Sequence, residues 1–302
     1  MKIIFFGAPD FAAASLRSLL SSDKHTVCAV VSQPDRPKGR SGKPVPTPVS
    51  QMAEDAGIIT LKPDNVKDAE PIALLRQFNA DIFVVAAYGQ FLNKTLLTMP
   101  RFGAVNVHAS LLPKYRGASP VQMAIVNGEE KTGITIMQMD KGMDTGDILH
   151  AEEIPIAGDD TYHTLLDKLA VLGGKALLNA IDKINRGIAI PHPQDNAAAT
   201  YAPLLTKDMG VIDFNAPPYK IYSLVRGFNP WPGTTAEIYG ETFKIWHVQP
   251  TDLIHGEQVG TIIPCDNKLQ ICCGNNGVLD ILELQAHGGK RLTAAEFLRG
   301  RR

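Results

Sequence analysis

Residues 81–87 read DIFVVAA, a run in which every position after the first is apolar. Such a run predicts a strand buried on both faces of a parallel sheet, because a strand with one solvated face alternates apolar and polar residues. Other apolar runs predict further strands, and stretches with apolar residues at helical spacing predict helices between them. The strands are expected at 2–6, 26–31, 104–107 and 133–139, and the helices at 11–20, 47–56, 70–78, 119–127 and 161–186. This alternation predicts an α/β fold with an open, mostly parallel sheet and helices on both faces.

The composition limits the class of protein. A chain of 302 residues that is 44% hydrophobic has the length of about two domains and enough apolar residues for their cores. The net charge of −1 gives no general attraction to nucleic acid, so any RNA contact must come from a local patch. Pro9, Asp10 and Arg17 interrupt the apolar start before a signal-peptide core could form. We therefore expect a cytoplasmic protein without a membrane span.

The pattern changes after the helix expected at 161–186. Residues 191–207 contain three prolines and no periodicity, which predicts a linker. The segment after it carries short strands separated by glycine and asparagine turns. This pattern predicts a small β-barrel that resembles the oligonucleotide-binding barrels. We thus expect a first domain over 1–190, a linker over 191–207 and a β-barrel domain over 208–302. Within the barrel, strands are expected at 234–239, 242–248, 258–263, 268–273 and 277–284.

The sequence NVH at 106–108 places an amide and an imidazole on one side of a strand, since alternate residues share a face. They come at the carboxyl end of a buried strand, where open α/β sheets form their ligand crevices. Asn106 can donate a hydrogen bond to a developing oxyanion, and His108 can hold or move a proton near neutral pH. A capping asparagine and a structural histidine at the end of a strand are the alternative.

Residues 140–147, DKGMDTGD, follow the strand expected at 133–139 and contain three carboxylates and two glycines. A carboxylate from this segment could stabilise a charged His108 or orient a water molecule that takes a proton. An ordinary hairpin turn remains the alternative. The spacing of a calcium-binding EF-hand loop is absent, and the four cysteines lack metal-binding spacing, so we expect neither a metal ion nor a structural disulfide. Ser110 lacks the sequence context of a nucleophilic serine, which favours direct acyl transfer over a covalent acyl-enzyme.

Residues 33–50, QPDRPKGRSGKPVPTPVS, combine five prolines with Arg36, Lys38, Arg40 and Lys43 against the single acid Asp35. A long irregular segment inside a compact domain is commonly functional, and its positive charge suits phosphate groups. A solvated surface loop is the alternative. The turn at residue 7 lacks the later glycines of a dinucleotide fingerprint, which disfavours a nicotinamide-dependent oxidoreductase.

Taken in order, these segments resemble the folate-dependent formyltransferase family over nearly the whole chain. The resemblance is carried by the GAPDF core at 7–11, QPDRPKGR at 33–40, VVAAYG at 84–89, NVH at 106–108, LLPKYRGASP at 111–120, TIMQMDKGMDTGD at 135–147 and FNPWP at 228–232. Ala109 departs from the family, in which a glycine is common at that position.

The resemblance implies a Rossmann-like catalytic domain followed by a small barrel that contacts tRNA. It implies 10-formyltetrahydrofolate as the formyl donor and the α-amine of methionine on initiator tRNA as the acceptor. It also implies three sets of site residues. The catalytic set is Asn106, His108 and Asp144; the folate-binding set is Ser110, Leu111, Leu112, Pro113, Ala87, Tyr88 and Gly89; the tRNA-binding set is Arg36, Lys38, Arg40 and Lys43.

Two other functions remain open at the level of sequence. A formyltransferase acting on a small amine nucleotide would share the catalytic residues, although it would need neither the basic segment nor a second domain. A non-catalytic RNA-binding module on the same fold would gain nothing from keeping Asn106, His108 and Asp144 together. We expect a monomer, since nothing in the sequence demands a larger assembly.

Overall fold

A computed structural model describes residues 1–37, 42–265 and 267–301 of the chain. The contacts between residues divide the chain into two compact units. The first contains 1–117, 132–154 and 166–201, and the second contains 118–131, 155–165 and the chain from 202 onward. These units do not test the domain boundaries expected from the sequence, which stay a prediction.

The first unit is built around a β-sheet, and helices alternate with its strands along the chain. Its strands are β1 (Lys2–Gly7), β2 (Thr26–Val31), β3 (Arg36–Pro37), β4 (Pro44–Val45), β5 (Thr60–Leu61), β6 (Ile82–Ala86), β7 (Ala104–His108), β8 (Arg116–Gly117), β9 (Lys131–Gln138), β10 (Ile148–Pro155) and β11 (Tyr201–Ala202). The helices up to this point in the chain are α1 (Asp10–Leu20), α2 (Pro48–Asp55), α3 (Ala69–Gln77), α4 (Lys94–Leu97), α5 (Pro120–Val126) and α6 (Tyr162–Asn185), and a 3₁₀ turn covers Asn196–Ala198.

Seven of these strands form one sheet in the order β10-β9-β7-β6-β1-β2-β5. The pairs from β7 through β6, β1 and β2 to β5 are parallel, whereas β9 runs antiparallel to β7. All five residues of β6 are buried, as the apolar run at 81–87 requires. The mostly parallel sheet expected from the sequence is confirmed, with an antiparallel strand beside β7.

Helices cover both faces of this sheet. On one face, Phe6 and Phe83 belong to a core cluster with Leu75 of α3 and Leu96 of α4. On the other, α6 packs so closely that a Cβ added at Gly173 would lie 3.3 Å from Cγ1 of Val107. Because neighbouring residues of a strand face opposite sides, Asn106 and His108 emerge on the face opposite Val107.

The second unit contains the antiparallel sheet expected near the end of the chain. Its strands are β12 (Thr234–Ile238), β13 (Glu241–Ile254), β14 (Ile262–Ile263), β15 (Leu269–Cys272), β16 (Gly277–Ala286) and β17 (Arg291–Thr293). They pair in the order β12-β13-β16-β15-β14, with β17 also on β16. The helices of this part are α7 (Pro218–Phe228) and α8 (Ala294–Arg299), with 3₁₀ turns at Lys207–Gly210 and Gly274–Asn276. Alternate apolar residues of the strands pack with α7 around one core, as a curled half-barrel requires.

Two strand predictions in this unit needed correction. The strand expected at 258–263 covers only Ile262–Ile263, because Gly260 has a φ of 86°, which turns the chain out of an extended conformation. The strand expected at 242–248 continues to Ile254 as the long β13, whose register shifts against β16 mark bulges.

In the segment at 33–50, the two-residue strands β3 and β4 pair antiparallel. Helix α2 then begins at Pro48, and Oγ1 of Thr47 accepts a hydrogen bond from the N–H of Ser50 as an N-terminal cap. Lys38 and Arg40 lie outside the described residues. Across the described ranges, the structure contains no helix with the length and apolar content to cross a membrane.

Candidate active site

Asn106 and His108 stand at the carboxyl end of β7, which is paired with β6 and β9. Asn106 is half-buried, and His108 is 6% exposed. The two side chains share a face because alternate residues of a strand point to the same side. The amide and the ring are therefore presented together at the end of a buried parallel strand, as predicted.

Asp144 reaches these residues by an indirect route. Since β9 is antiparallel to β7, the end of β9 lies beside the start of β7, where the N–H of Met139 donates to the carbonyl of Ala104 at 2.8 Å. The loop 139–147 then brings Asp144 back to the site. Its Oδ1 lies 3.5 Å from Nδ2 of Asn106, and its Oδ2 lies 3.6 Å from Nδ1 of His108. The structure thus brings together the three residues of the proposed catalytic set.

Backbone groups of residues 115–117 hold the imidazole and the carboxylate. Nε2 of His108 lies 2.9 Å from the carbonyl oxygen of Tyr115. A carbonyl oxygen only accepts hydrogen bonds, so Nε2 carries a hydrogen and Nδ1 is the nitrogen that faces Asp144. The N–H of Gly117 donates to Oδ2 of Asp144 at 2.8 Å.

The distances indicate which chemistry these groups can perform. The contacts of Asn106 and His108 with Asp144 are longer than the 2.7–3.2 Å of a strong N–H···O bond, so neither side chain is committed to a tight bond with the carboxylate. Ser110, in contrast, is fully buried and its hydroxyl donates to the carbonyl of Lys114 at 2.7 Å. The site therefore offers hydrogen-bond donors and a proton acceptor, and Ser110 does not serve as a nucleophile.

The segment 110–113 is held beside β9 by Thr135. The hydroxyl of Thr135 donates to the carbonyl of Ser110 at 2.7 Å and accepts from the N–H of Leu112 at 3.1 Å. Leu112 is buried and Leu111 is half-buried. Pro113 accepts a hydrogen bond from the N–H of Thr200 at 3.3 Å. This fixes a stretch with apolar side chains directly after His108.

The segment 87–89 follows β6, whose carboxyl end lies beside that of β7 because the two strands are parallel. Ala87 and Gly89 are exposed and have φ angles of 43° and 84°. The ring of Tyr88 packs against Phe6 in the core, and burial raises the pKa of its hydroxyl. Of the three residues, only Ala87 and Gly89 therefore present exposed groups to a ligand.

The basic segment keeps its positive charge. Arg36 and Lys43 are exposed, whereas Asp35 forms an ion pair with Lys62 at 2.9 Å. The carboxylates of Asp35 and Glu54 raise the pKa of Lys62 against the opposing effect of burial. Asp35 thus pairs with Lys62, which it shares with Glu54, and Arg36 and Lys43 together outnumber this one acid of the segment.

Family models match both halves of the chain. The model described as formyl transferase matches residues 1–181, and the one described as formyl transferase, C-terminal domain, matches residues 204–302. The chain belongs to the formyl transferase family.

Curated relatives of this formyltransferase are similar over almost the whole chain. The methionyl-tRNA formyltransferase of Caldanaerobacter subterraneus subsp. tengcongensis is 44% identical over 99% of this chain and 97% of its own length. The methionyl-tRNA formyltransferase of Geobacter metallireducens is 43% identical over 99% of this chain and 96% of its own. The resemblance inferred from the sequence is thereby confirmed.

Solved structures share the fold of this formyltransferase at low sequence identity. The N-formyltransferase of Helicobacter canadensis in complex with folinic acid and dTDP-3-aminofucose has a TM-score of 0.69 and 19% identity, covering 93% of this chain and 98% of its own. HypX of Aquifex aeolicus in complex with tetrahydrofolic acid has a TM-score of 0.63 and 15% identity, covering 99% of this chain and 47% of its own. These two likenesses confirm the fold class.

Thr135, Tyr115 and Gly117 hold the candidate site residues, yet no side-chain pattern in the sequence marks them. Tyr115 and Gly117 act through backbone atoms, so their side chains carry no chemical signal, although both lie within the quoted segment 111–120. Thr135 resembles any β-branched strand residue. Within the described ranges, no cluster of three or more His, Cys, Asp or Glu side chains has an arrangement that could hold a metal ion.

Proposed function

We propose that this formyltransferase transfers the formyl group of 10-formyltetrahydrofolate to the α-amine of methionine esterified to initiator tRNA. The observation that carries the proposal is the convergence of Asn106 and His108 on Asp144 in a chain with full-length similarity to methionyl-tRNA formyltransferases. The similarity to these relatives supports methionyl-tRNA as the formyl acceptor. The arrangement of Asn106 and His108 around the carboxylate of Asp144 supports formyl transfer as the reaction.

Asn106 and His108 are the groups that stabilise negative charge. Nδ2 of Asn106 donates a hydrogen bond to the formyl oxygen as charge develops on it, and the charged ring of His108 donates from Nδ1. The carbonyl of Tyr115 holds the opposite nitrogen of the ring at 2.9 Å, so the ring orientation is set before substrate binds. Preorganised donors of this kind avoid the reorganisation that water would require.

Asp144 serves as the proton acceptor. It stabilises the positive charge of His108 and takes a proton from the attacking amine, directly or through one water molecule. The bond between the formyl carbon and the folate nitrogen then breaks, and the proton held at Asp144 passes to that nitrogen. The N–H of Gly117 donates to Oδ2 of Asp144 and keeps the carboxylate in place. The other oxygen, Oδ1, faces Nδ2 of Asn106.

The folate donor supplies an activated formyl group on a nitrogen atom. The residues present fit such a donor: the exposed backbone at Ala87 and Gly89 and the apolar segment 110–113 flank the carboxyl ends of β6 and β7. We assign Ser110, Leu111, Leu112 and Pro113, with Ala87, Tyr88 and Gly89, to binding the donor. Tyr88 holds its two exposed neighbours in place, because its ring belongs to the core.

The segment 33–50 is assigned to the acceptor end of the tRNA. Arg36 and Lys43 are exposed, as phosphate contacts require. Lys38 and Arg40 belong to the same assignment, with Arg40 as the preferred contact.

We further assign the activity to a cytoplasmic monomer with a catalytic domain over 1–190, a linker over 191–207 and a tRNA-contacting barrel domain over 208–302. The family-model matches over 1–181 and 204–302 support this division.

The test is formyl transfer from 10-formyltetrahydrofolate to three acceptors: methionylated initiator tRNA, the same tRNA without its amino acid, and a small amine nucleotide. We expect transfer only to the methionylated tRNA. Transfer to the small nucleotide would preserve the chemistry and overturn the acceptor. Binding of tRNA without transfer to any acceptor would favour the RNA-binding module.

A further inference from the structure

The guanidinium of Arg116 is buried, with 2% of the residue exposed. A buried cation ordinarily pairs with a carboxylate, but in the described chain its acceptors are neutral amide oxygens. Nε and Nη2 of Arg116 both donate to Oε1 of Gln194, at 3.0 and 2.7 Å, and Nη2 also donates to Oδ1 of Asn196 at 2.9 Å. A charge held in this way fixes the orientation of the Gln194 amide.

Gln194 carries that orientation to the loop of Asp144. Because arginine only donates hydrogen bonds, Oε1 of Gln194 must face Arg116 and Nε2 must face away. Nε2 donates to the carbonyl of Asp144 at 2.9 Å and to that of Gly146 at 2.7 Å. One side chain thus holds the backbone on both sides of Thr145.

The loop needs such a restraint. Asp144 has a φ of 54°, which is uncommon for a residue other than glycine. Gly146 lies so close to β9 that an added Cβ would be 1.7 Å from the carbonyl oxygen of Gln138. Residues held in sparsely populated conformations persist only where their surroundings over-determine them.

The chain around Arg116 touches the other catalytic groups as well. Tyr115 and Gly117, its two neighbours, contact His108 and Asp144 through backbone atoms. The N–H of Arg116 donates to the carbonyl of Thr200 at 2.9 Å. Arg116 therefore links the strand pair β8–β11 to both sides of the contact between His108 and Asp144.

We propose that Arg116 and Gln194 are positioning residues that set the distance between Asp144 and His108. This inference rests on the proposed function for its kinetic consequences. Neither side chain touches the reacting atoms; the guanidinium orients the amide, and the amide holds the loop.

The informative substitution is Gln194→Glu. It keeps the acceptor for Arg116 and converts a neutral contact into an ion pair, so the folded state is retained. It also replaces the N–H₂ donor by an oxygen that repels the carbonyls of Asp144 and Gly146. Displacement of a catalytic group by about 1 Å can cost about 10²-fold in rate, so we expect kcat to fall about 10²-fold with KM changed by less than about threefold.

Three further variants complete the series. Gln194→Ala removes both sets of bonds, and we expect it to lower kcat as strongly as Gln194→Glu and to lower the melting temperature as well. Arg116→Lys keeps a charge but loses the forked donor pair, and we expect an intermediate loss of kcat. Gln51→Ala, at an exposed helix position where the amide donates to Asp55, is the matched control and is expected to keep the wild-type kcat.

The pH profile of kcat separates positioning from a loss of folded protein. A smaller active fraction lowers kcat equally at every pH, whereas a displaced Asp144 changes the shape of the profile. The imidazole nitrogen resonances of His108 provide a readout without substrate, and we expect Gln194→Glu to shift them. Unchanged His108 resonances in Gln194→Glu would overturn the inference, whether or not the wild-type protein is active in formyl transfer. Inactivity of the wild type would overturn only the proposed function.

Discussion

Asp144 has two carboxylate oxygens with different neighbours. Oδ2 accepts from the N–H of Gly117 and faces Nδ1 of His108, whereas Oδ1 faces the amide of Asn106. The backbone bond fixes the carboxylate, and its charge faces both side chains that we propose to stabilise the formyl oxygen. A substitution that keeps the shape of Asp144 and removes its charge therefore tests function with little change in packing.

Asp144→Asn is expected to lower kcat by about 10²–10⁴-fold, the usual contribution of a positioned proton-transfer group. The new amide can still accept from Gly117, so we expect the melting temperature to stay near that of the wild type. Steady-state formyl transfer and thermal unfolding measure the two effects, with Asp23→Asn at an exposed position as the control. A variant with wild-type kcat would mean that another group takes the amine proton.

At the scale of elements, helix α6 is joined to the start of β2 by a cluster of charged residues. Asp182 of α6 lies 3.1 Å from Nε2 of His25 and 2.8 Å from Nζ of Lys24. Burial, followed by the charge of the amino terminus, lowers the pKa of His25 even though Asp182 opposes the shift. Nδ1 of His25 is buried without a hydrogen-bond partner in the described residues, so protonation would add a buried N–H without an acceptor.

The sign of the pH effect follows from this lowered pKa. The folded state binds fewer protons than the unfolded state, so acidification through the ordinary histidine value of 6.5 disfavours folding. We expect the free energy of unfolding of the wild type to fall between about pH 7.5 and about pH 5.5. His25→Gln does not titrate and is expected to lose less over the same interval, as measured by urea unfolding at both pH values. Equal losses in the two proteins would contradict the assignment to His25.

At the scale of the whole molecule, charge is distributed unevenly. The chain as a whole has a net charge of −1, so the proposed contact with tRNA requires local basic groups, of which Arg36 and Lys43 are exposed. A binding surface of this kind contributes a salt-dependent term that is proportional to the number of phosphates it neutralises.

Arg40→Ala and Arg36→Ala are each expected to weaken tRNA binding and to reduce the slope of log affinity against log salt by about one. The measurement is tRNA affinity at several salt concentrations, with kcat at saturating tRNA remaining near the wild-type value. Arg186→Ala, at an exposed position outside the segment 33–50, is the control. An unchanged slope in both test variants would remove the segment 33–50 from the tRNA contact.

Features that depend on near neighbours along the chain could be predicted from the residues alone. The apolar run at 81–87 sufficed for a buried strand, and alternation sufficed to place Asn106 and His108 on one face. The ordered segments shared with the formyltransferases sufficed for the family. In each case the information lies in the residue types and their short-range spacing, which the folded chain preserves.

The tertiary structure alone decided how Asp144 reaches His108 and what holds it there. The antiparallel pairing of β9 puts the end of that strand at the far end of β7, and only the path of the loop 139–147 restores the contact. Gln194 lies in the segment predicted to be a linker, yet it hydrogen-bonds the backbone of a residue 50 positions earlier. Strand direction and such distant contacts depend on the packing of the whole unit, because local spacing contains no information about which remote segment supplies a partner.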